Sequence, residues 1–154
     1  MLIIIALLLM SARLSASTST NLTECLQAAK LESIPPSFPN YTANSYTFNH
    51  RFLFSPVHIV FPTNAAGVAK AVECASNANV SVAARSGGHS YAANGAGGQN
   101  GSLVIDLKYL NSTTISGTTA KFGTGIRLGN LALALNASGR AMAHGKFFHI
   151  TVIY

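Results

Sequence analysis

Between Pro56 and Ala84 the chain reads strand, helix, strand with very short joints, and this order limits the fold more than any other feature. The stretch "PVHIVFPT" alternates Val57, Ile59 and Phe61 on one face. It leads into "NAAGVAKAVECASNAN", where Thr63 is the expected cap and Val68, Val72 and Ala75 recur at helical spacing. The run "VSVAA" follows as a second strand. Two strands joined through one helix form a βαβ unit, so they are expected to run parallel with a right-handed crossover.

That second strand opens directly into "RSGGHSYAANGAGG", Arg85 to Gly98. Adjacent glycines let the backbone adopt positive φ and approach a ligand closely, and with serine beside them they make an anion cradle. No helical pattern begins immediately after the loop, which argues against the dinucleotide fingerprint, and no P-loop lysine is present. On the residues alone, a ligand-binding loop and a long surface loop both stay open. A metal reading is weaker, because His50, His58, His89, His144 and His149 show no recognised ligand spacing.

The flanking segments complete an α+β pattern. "TECLQAAKL" reads as a short helix capped by Thr23, and "SIPPSFPNYTANSYTFNHRF" as an extended, proline-broken passage with no helix. Beyond the loop, "SLVIDL" is a strand, "KYLNST" a turn region, and "TISGTTAKFGTG" two short strands around Gly117. "RLGNLALALNASG" is a helix with Leu128, Leu131 and Leu135 on one face, ending at Gly139. No repeat and no linker divides the chain, so one domain is expected.

Composition narrows the setting. Ten Lys and Arg against four Asp and Glu give a net charge of +6, yet no two basic residues are adjacent and no basic helical stripe forms. This pattern argues against nucleic acid as a partner. The start, "MLIIIALLLMSARLSAS", is too short an apolar run for a membrane span and fits a leader over residues 1–17, cleaved near Ala16 or Ser17. Sequons begin at Asn21, Asn40, Asn79, Asn100, Asn111 and Asn136, as in a secreted glycoprotein. In that compartment Cys25 and Cys74 are most simply a disulfide, with a catalytic thiol as the alternative.

Taken in order, "RSGGHSY", "GSLVIDLKYLN", "GTGIRLGNLALAL" and "GRAMAHG" resemble the start of the FAD-linked oxidases of the vanillyl-alcohol oxidase and p-cresol methylhydroxylase (PCMH) type. The nearest branch is the berberine-bridge-enzyme-like group that includes secreted fungal carbohydrate oxidases. The resemblance implies the N-terminal part of a PCMH-type FAD-binding domain and a covalent bond from His89 to the flavin 8α position. It also implies that N–H groups around Ser86, Gly87, Gly88, Ser90 and Tyr91 hold the FAD pyrophosphate. Gly123, Thr124 and Gly125 match a second glycine-rich cofactor contact. Arg85 either adds charge near the phosphates or serves as a surface ion pair or strand-end cation, and Asp106 reads as structural, fixing a nearby backbone group or hydroxyl. Cys25 and Cys74 match the position of a disulfide in this group.

The family oxidises an alcohol or hemiacetal carbon and returns the flavin to its oxidised form with dioxygen, giving hydrogen peroxide. Its substrate-binding surface and base come from later segments, so no catalytic residue is assigned in this sequence. After Gly145 the match ends in "KFFHITVIY", which lacks the cysteine that many members bond to flavin C6. The expected division is a leader over 1–17, a partial FAD-binding domain over 18–145, and a non-family tail over 146–154. Gly145-Lys146-Phe147 can be encoded with a 5′ splice-donor sequence, so the tail reads as a translated intron and the chain as an inactive fragment. The competing class is a small secreted glycoprotein without cofactor that acts by binding a partner.

Overall fold

The structure is a computed structural model that describes residues 21–144. The expected leader, the expected tail and His149 lie outside the described residues. In chain order the elements are α1 (Leu22–Ala28), β1 (Ser33–Ile34), α2 (Tyr41–Ser45), β2 (His58–Val60), α3 (Ala65–Asn77), β3 (Val82–Arg85), β4 (Leu103–Asp106), β5 (Thr113–Ser116), β6 (Thr119–Phe122) and α4 (Leu128–Ala137).

Four strands form one sheet in the order β1-β2-β4-β3, and β5-β6 form a separate antiparallel hairpin. β2 and β3 share a direction, as the strand-helix-strand pattern requires, but they are not neighbours. β4 lies between them and pairs parallel with both, with His58 opposite Leu103 and Arg85 opposite Asp106. The crossover through α3 therefore leaves a gap that a later strand fills.

Insertion of β4 changes how the first strand is buried. His58, Ile59 and Val60 are all buried, so the expected single apolar face of 57–61 is corrected to a strand covered on both sides. Val60, Leu103 and Ile105 pack under Leu22, Leu26, Ala71, Cys74 and Ala75 of α1 and α3. Ile59 and Val104 point the other way, against Ile34, Phe61 and Tyr41. Strands sandwiched by other elements on both faces read as continuous apolar runs rather than as alternation.

The caps also differ from expectation, for identifiable reasons. Asn21, not Thr23, caps α1 by accepting the Thr23 N–H at 3.0 Å. The Thr23 hydroxyl is instead bonded to His58 Nε2 at 2.8 Å. Asn64, not Thr63, caps α3 through the Gly67 N–H at 2.8 Å. The buried face of α3 is set by Ala71, Cys74 and Ala75, while Val72 stands exposed. Cys74 is joined to Cys25 across a Cα–Cα distance of 5.6 Å, on the same buried face as Ala71 and Ala75.

The passage expected to hold no helix contains α2, a five-residue helix without a side-chain cap. Tertiary contacts hold it where local propensity does not. The Tyr41 hydroxyl donates to Pro56 O at 2.7 Å, and Asn44 O accepts from Arg85 at 2.6 Å. The hairpin and α4 follow the expected pattern closely. Leu128, Leu131 and Leu135 are the buried residues of α4. Gly139, at φ +63°, ends the helix while Arg140 N–H returns to Leu135 O at 2.9 Å.

Candidate functional site

The chain leaves β3 and β4 at the same end of the sheet, and the glycine loop lies there. In open sheets with parallel strands, ligands bind outside the carboxyl ends of the strands. At this end Arg85, Ser86, Gly87, His89, Lys108 and Arg127 are among the residues lining an open cleft of about 380 Å³.

Arg85 and Asp106 face each other across the paired ends of β3 and β4 and are both nearly buried. The Arg85 guanidinium donates to one Asp106 oxygen through Nε at 3.0 Å and Nη2 at 2.8 Å, and through Nη1 to Asn44 O. The other Asp106 oxygen accepts the Lys108 N–H at 3.0 Å. Asp106 thus fixes a nearby backbone group, and Arg85 stands at a strand end in an ion pair that is buried rather than at the surface. Arg127, whose Nη1 donates to Ser86 O, brings the positive charge that has no carboxylate partner among the described residues, while the Lys108 ammonium rests over the Phe61 ring, 3.9 Å from its centroid.

Past Arg85 the backbone turns into the cleft. Gly88 sits at φ +72°, a conformation that side-chain-bearing residues rarely adopt. Among the described residues, no carbonyl or side chain accepts the N–H groups of Gly87, Gly88, His89, Ser90 or Tyr91. Consecutive unpaired donors beside basic side chains form an anion-binding concavity. The residues of the loop therefore fit a pyrophosphate.

The loop is braced from two sides. On one side the Ser86 hydroxyl donates to Thr124 O, and Arg127 Nη1 donates to Ser86 O at 3.1 Å. The reason for glycine at 123 and 125 is close backbone approach: a Cβ there would lie 2.0 Å from Leu110 O and 1.8 Å from Leu107 O. Their N–H groups are already engaged, with Ser112 O and Leu110 O respectively. On the other side Asn49 Nδ2 donates to Tyr91 O at 2.9 Å, and the Phe48 ring stacks on His89.

All of Arg85, Ser86, Gly87, Gly88 and His89 gather at the cleft, with Ser90 and Tyr91 continuing the loop and Gly123, Thr124 and Gly125 behind it. Reading the sequence did not single out Lys108, Arg127, Asn44, Asn49 or Phe48. Arg127 and Lys108 lie inside quoted motifs, so position alone offered a signal. Phe48 and Asn49 lie in the proline-broken passage and offered none. Cys25 and Cys74 form the disulfide between α1 and α3, away from the loop, and no free cysteine remains.

Comparison with known proteins agrees with this geometry. The FAD binding domain family matches residues 56–153. A chitooligosaccharide oxidase from Gibberella zeae is 39% identical over 123 residues, which cover 79% of this chain and 25% of that protein. A carbohydrate oxidase from Microdochium nivale is 38% identical over 151 residues, covering 92% of this chain and 30% of that protein. Among solved structures, a glucooligosaccharide oxidase from Acremonium strictum superposes with a TM-score of 0.80 at 32% identity, covering 85% of this chain and 28% of that one. That enzyme is described with a 6-S-cysteinyl, 8α-N1-histidyl FAD. The chain thus spans about a quarter to a third of the length of these relatives. With the fold, the loop and these likenesses together, the chain belongs to the FAD binding domain family, in the PCMH-type, berberine-bridge-enzyme-like group that includes the fungal carbohydrate oxidases.

Proposed function

We propose that this chain carries the pyrophosphate cradle and the attachment histidine of a secreted flavin-dependent oxidase acting on a carbohydrate or a related alcohol. The observation that carries this reading is the run of unpaired backbone donors from Gly87 to Tyr91 with His89 at its centre. In it, the loop amides hold the diphosphate, and Arg127 complements its charge. Arg85 acts through Asp106 and Asn44 to hold the strand ends and α2 in place. The segment Gly123, Thr124 and Gly125 supports the cradle from behind.

Bound FAD supplies a two-electron acceptor that passes electrons from the substrate carbon to dioxygen. His89 would hold the flavin covalently through an imidazole nitrogen, with dioxygen as the oxidant for the attachment. Cys25 and Cys74 are joined to each other, so neither is a free thiol that could add a thioether bond to the flavin.

Substrate class is inferred from the oligosaccharide oxidases among the relatives, and the substrate side of the site corresponds to the larger part of those proteins outside the match. Turnover by these 154 residues alone is not expected. Secretion is supported by the leader pattern, by the disulfide, and by the exposed sequon residues Asn79 and Asn100. No helix of the described residues is long and apolar enough to cross a membrane.

The test is acid precipitation of the natural full-length polypeptide carrying this sequence, after circular dichroism has shown it folded. A yellow pellet from wild type and a colourless one from His89→Ala is the expected result. A colourless pellet from folded wild type contradicts the reading and favours a cofactor-free glycoprotein.

A further inference from the structure

We propose that Phe48 is a positioning residue for His89, setting the orientation in which the imidazole enters the cleft. The proposal rests on the attachment reading above and assigns a task to a residue outside the glycine loop.

The need arises from the loop itself. Among the described residues, no hydrogen bond holds either ring nitrogen of His89. A half-buried imidazole on a glycine-rich loop has free rotation about two side-chain bonds, and a reacting nitrogen must be held in one orientation to react well. What His89 has instead is a face contact. The Phe48 ring stacks on it with centroids 4.0 Å apart and planes 27° from parallel. A ring held through its face keeps its edge free, and the edge carries both nitrogens.

Phe48 is itself fixed. Its ring meets Tyr91 edge-on at 5.4 Å and 88°, and the neighbouring Asn49 side chain donates to Tyr91 O. The buried Thr47 hydroxyl contacts Asn49 O at 2.7 Å and Phe52 O at 2.9 Å, closing the turn on which Phe48 stands. Upstream, Arg85 anchors Asn44 O. The segment therefore grips the loop through Phe48 on His89, Phe48 on Tyr91, and Asn49 on Tyr91 O. Phe48 is 47% exposed and, among the described residues, belongs to none of the apolar core clusters, so packing of those clusters does not account for it. Its ring contacts are with His89 and Tyr91.

Two readouts test this. In the natural full-length polypeptide produced with FAD, covalently held flavin is followed over time by fluorescence of the acid-denatured protein. Phe48→Ala is expected to slow attachment about tenfold, equivalent to about 1.4 kcal/mol of barrier, with an unchanged melting temperature. Phe48→Tyr, which keeps the ring, is expected to attach flavin at the wild-type rate. Without any flavin, proton NMR of the same proteins is expected to show the His89 ring protons shifted upfield by the stacked ring in wild type and Phe48→Tyr, and returned downfield in Phe48→Ala. Equal attachment rates for wild type and Phe48→Ala, or His89 protons indifferent to the substitution, overturn the proposal. A wild type that shows the upfield shift yet never binds flavin covalently contradicts the attachment reading itself, and the role of Phe48 in attachment falls with it.

Discussion

On the sheet side of the molecule, Leu26, Ile59, Val60, Cys74, Ala75, Leu103 and Val104 are completely buried, and a disulfide ties the two covering helices together. On the hairpin side, Ile126, Leu128, Leu131 and Leu135 are buried, but the hairpin residues against them, Ile115, Ala120 and Phe122, are only partly covered, and Leu133 is 70% exposed. The first region joins segments far apart in the chain into a core covered on both faces. The second is assembled from neighbours in sequence and depends on one helix face. The glycine loop grows from the first region and is braced by the second through Ser86, Thr124 and Arg127. The cradle is therefore only as well held as the weaker of its two supports.

The largest expected effect lies in the disulfide. Replacing Cys25 and Cys74 together by alanine removes a constraint across a sequence separation of 49. The chain-entropy model puts its contribution at about 4 kcal/mol. Urea denaturation is expected to show that loss, with amide exchange rising in β2, β4 and α3. Unchanged protection of these strands would place the stability of the sheet side elsewhere.

Next comes the buried ion pair. Asp106→Ala leaves the Arg85 charge, with a side chain only 9% exposed, without its partner. A cost of about 3 kcal/mol is expected. Converting both residues to apolar ones of similar size, Arg85→Met with Asp106→Leu, should recover most of it. If the single substitution proves neutral in urea melts, the pair does not hold the strand ends. Smaller again is Leu131→Ala in α4, expected to cost about 2 kcal/mol and to raise exchange in β5 and β6 while sparing β2 and β4. Equal loosening of both regions would erase the contrast between them.

The gentlest probe is pH. His58 is buried on the sheet side, its Nδ1 has no hydrogen-bond partner among the described residues, and burial lowers its pKa below the ordinary histidine value. The unfolded chain therefore takes up the proton first as pH falls. Stability from His58 is complete above the unfolded pKa of about 6.5 and is lost progressively below it. Melting temperature is expected to fall between about pH 7 and pH 5.5, and His58→Asn should flatten that slope. A wild-type curve with no slope in this window contradicts the assignment.

Much of this arrangement was legible in the residues, because it rests on short-range patterns. The leucines of α4 fall at helical spacing and the hairpin turns at Gly117, and both are found as read. The glycine loop was recognisable from Gly87, Gly88 and their place after a strand. What the pattern could not convey was long-range. Nothing local places β4 between β2 and β3, and nothing in a passage with Pro35, Pro36 and Pro39 announces α2 or brings Phe48 onto His89. The caps were misplaced by one or two residues because Thr and Asn are both good caps. At α1 the Thr23 hydroxyl is engaged with His58 Nε2 instead. The glycines at 123 and 125 were read as cofactor contacts, whereas the need for them as glycine comes from the carbonyls of Leu110 and Leu107.

The central claim is that His89 is where flavin is bonded. Mass spectrometry of the peptide spanning Val82 to Lys108, from the folded natural polypeptide, measures it most directly. The account predicts that this peptide carries the added mass of FAD, with fragment ions placing it on His89. The same peptide found only unmodified, or modified at any other residue, would contradict it.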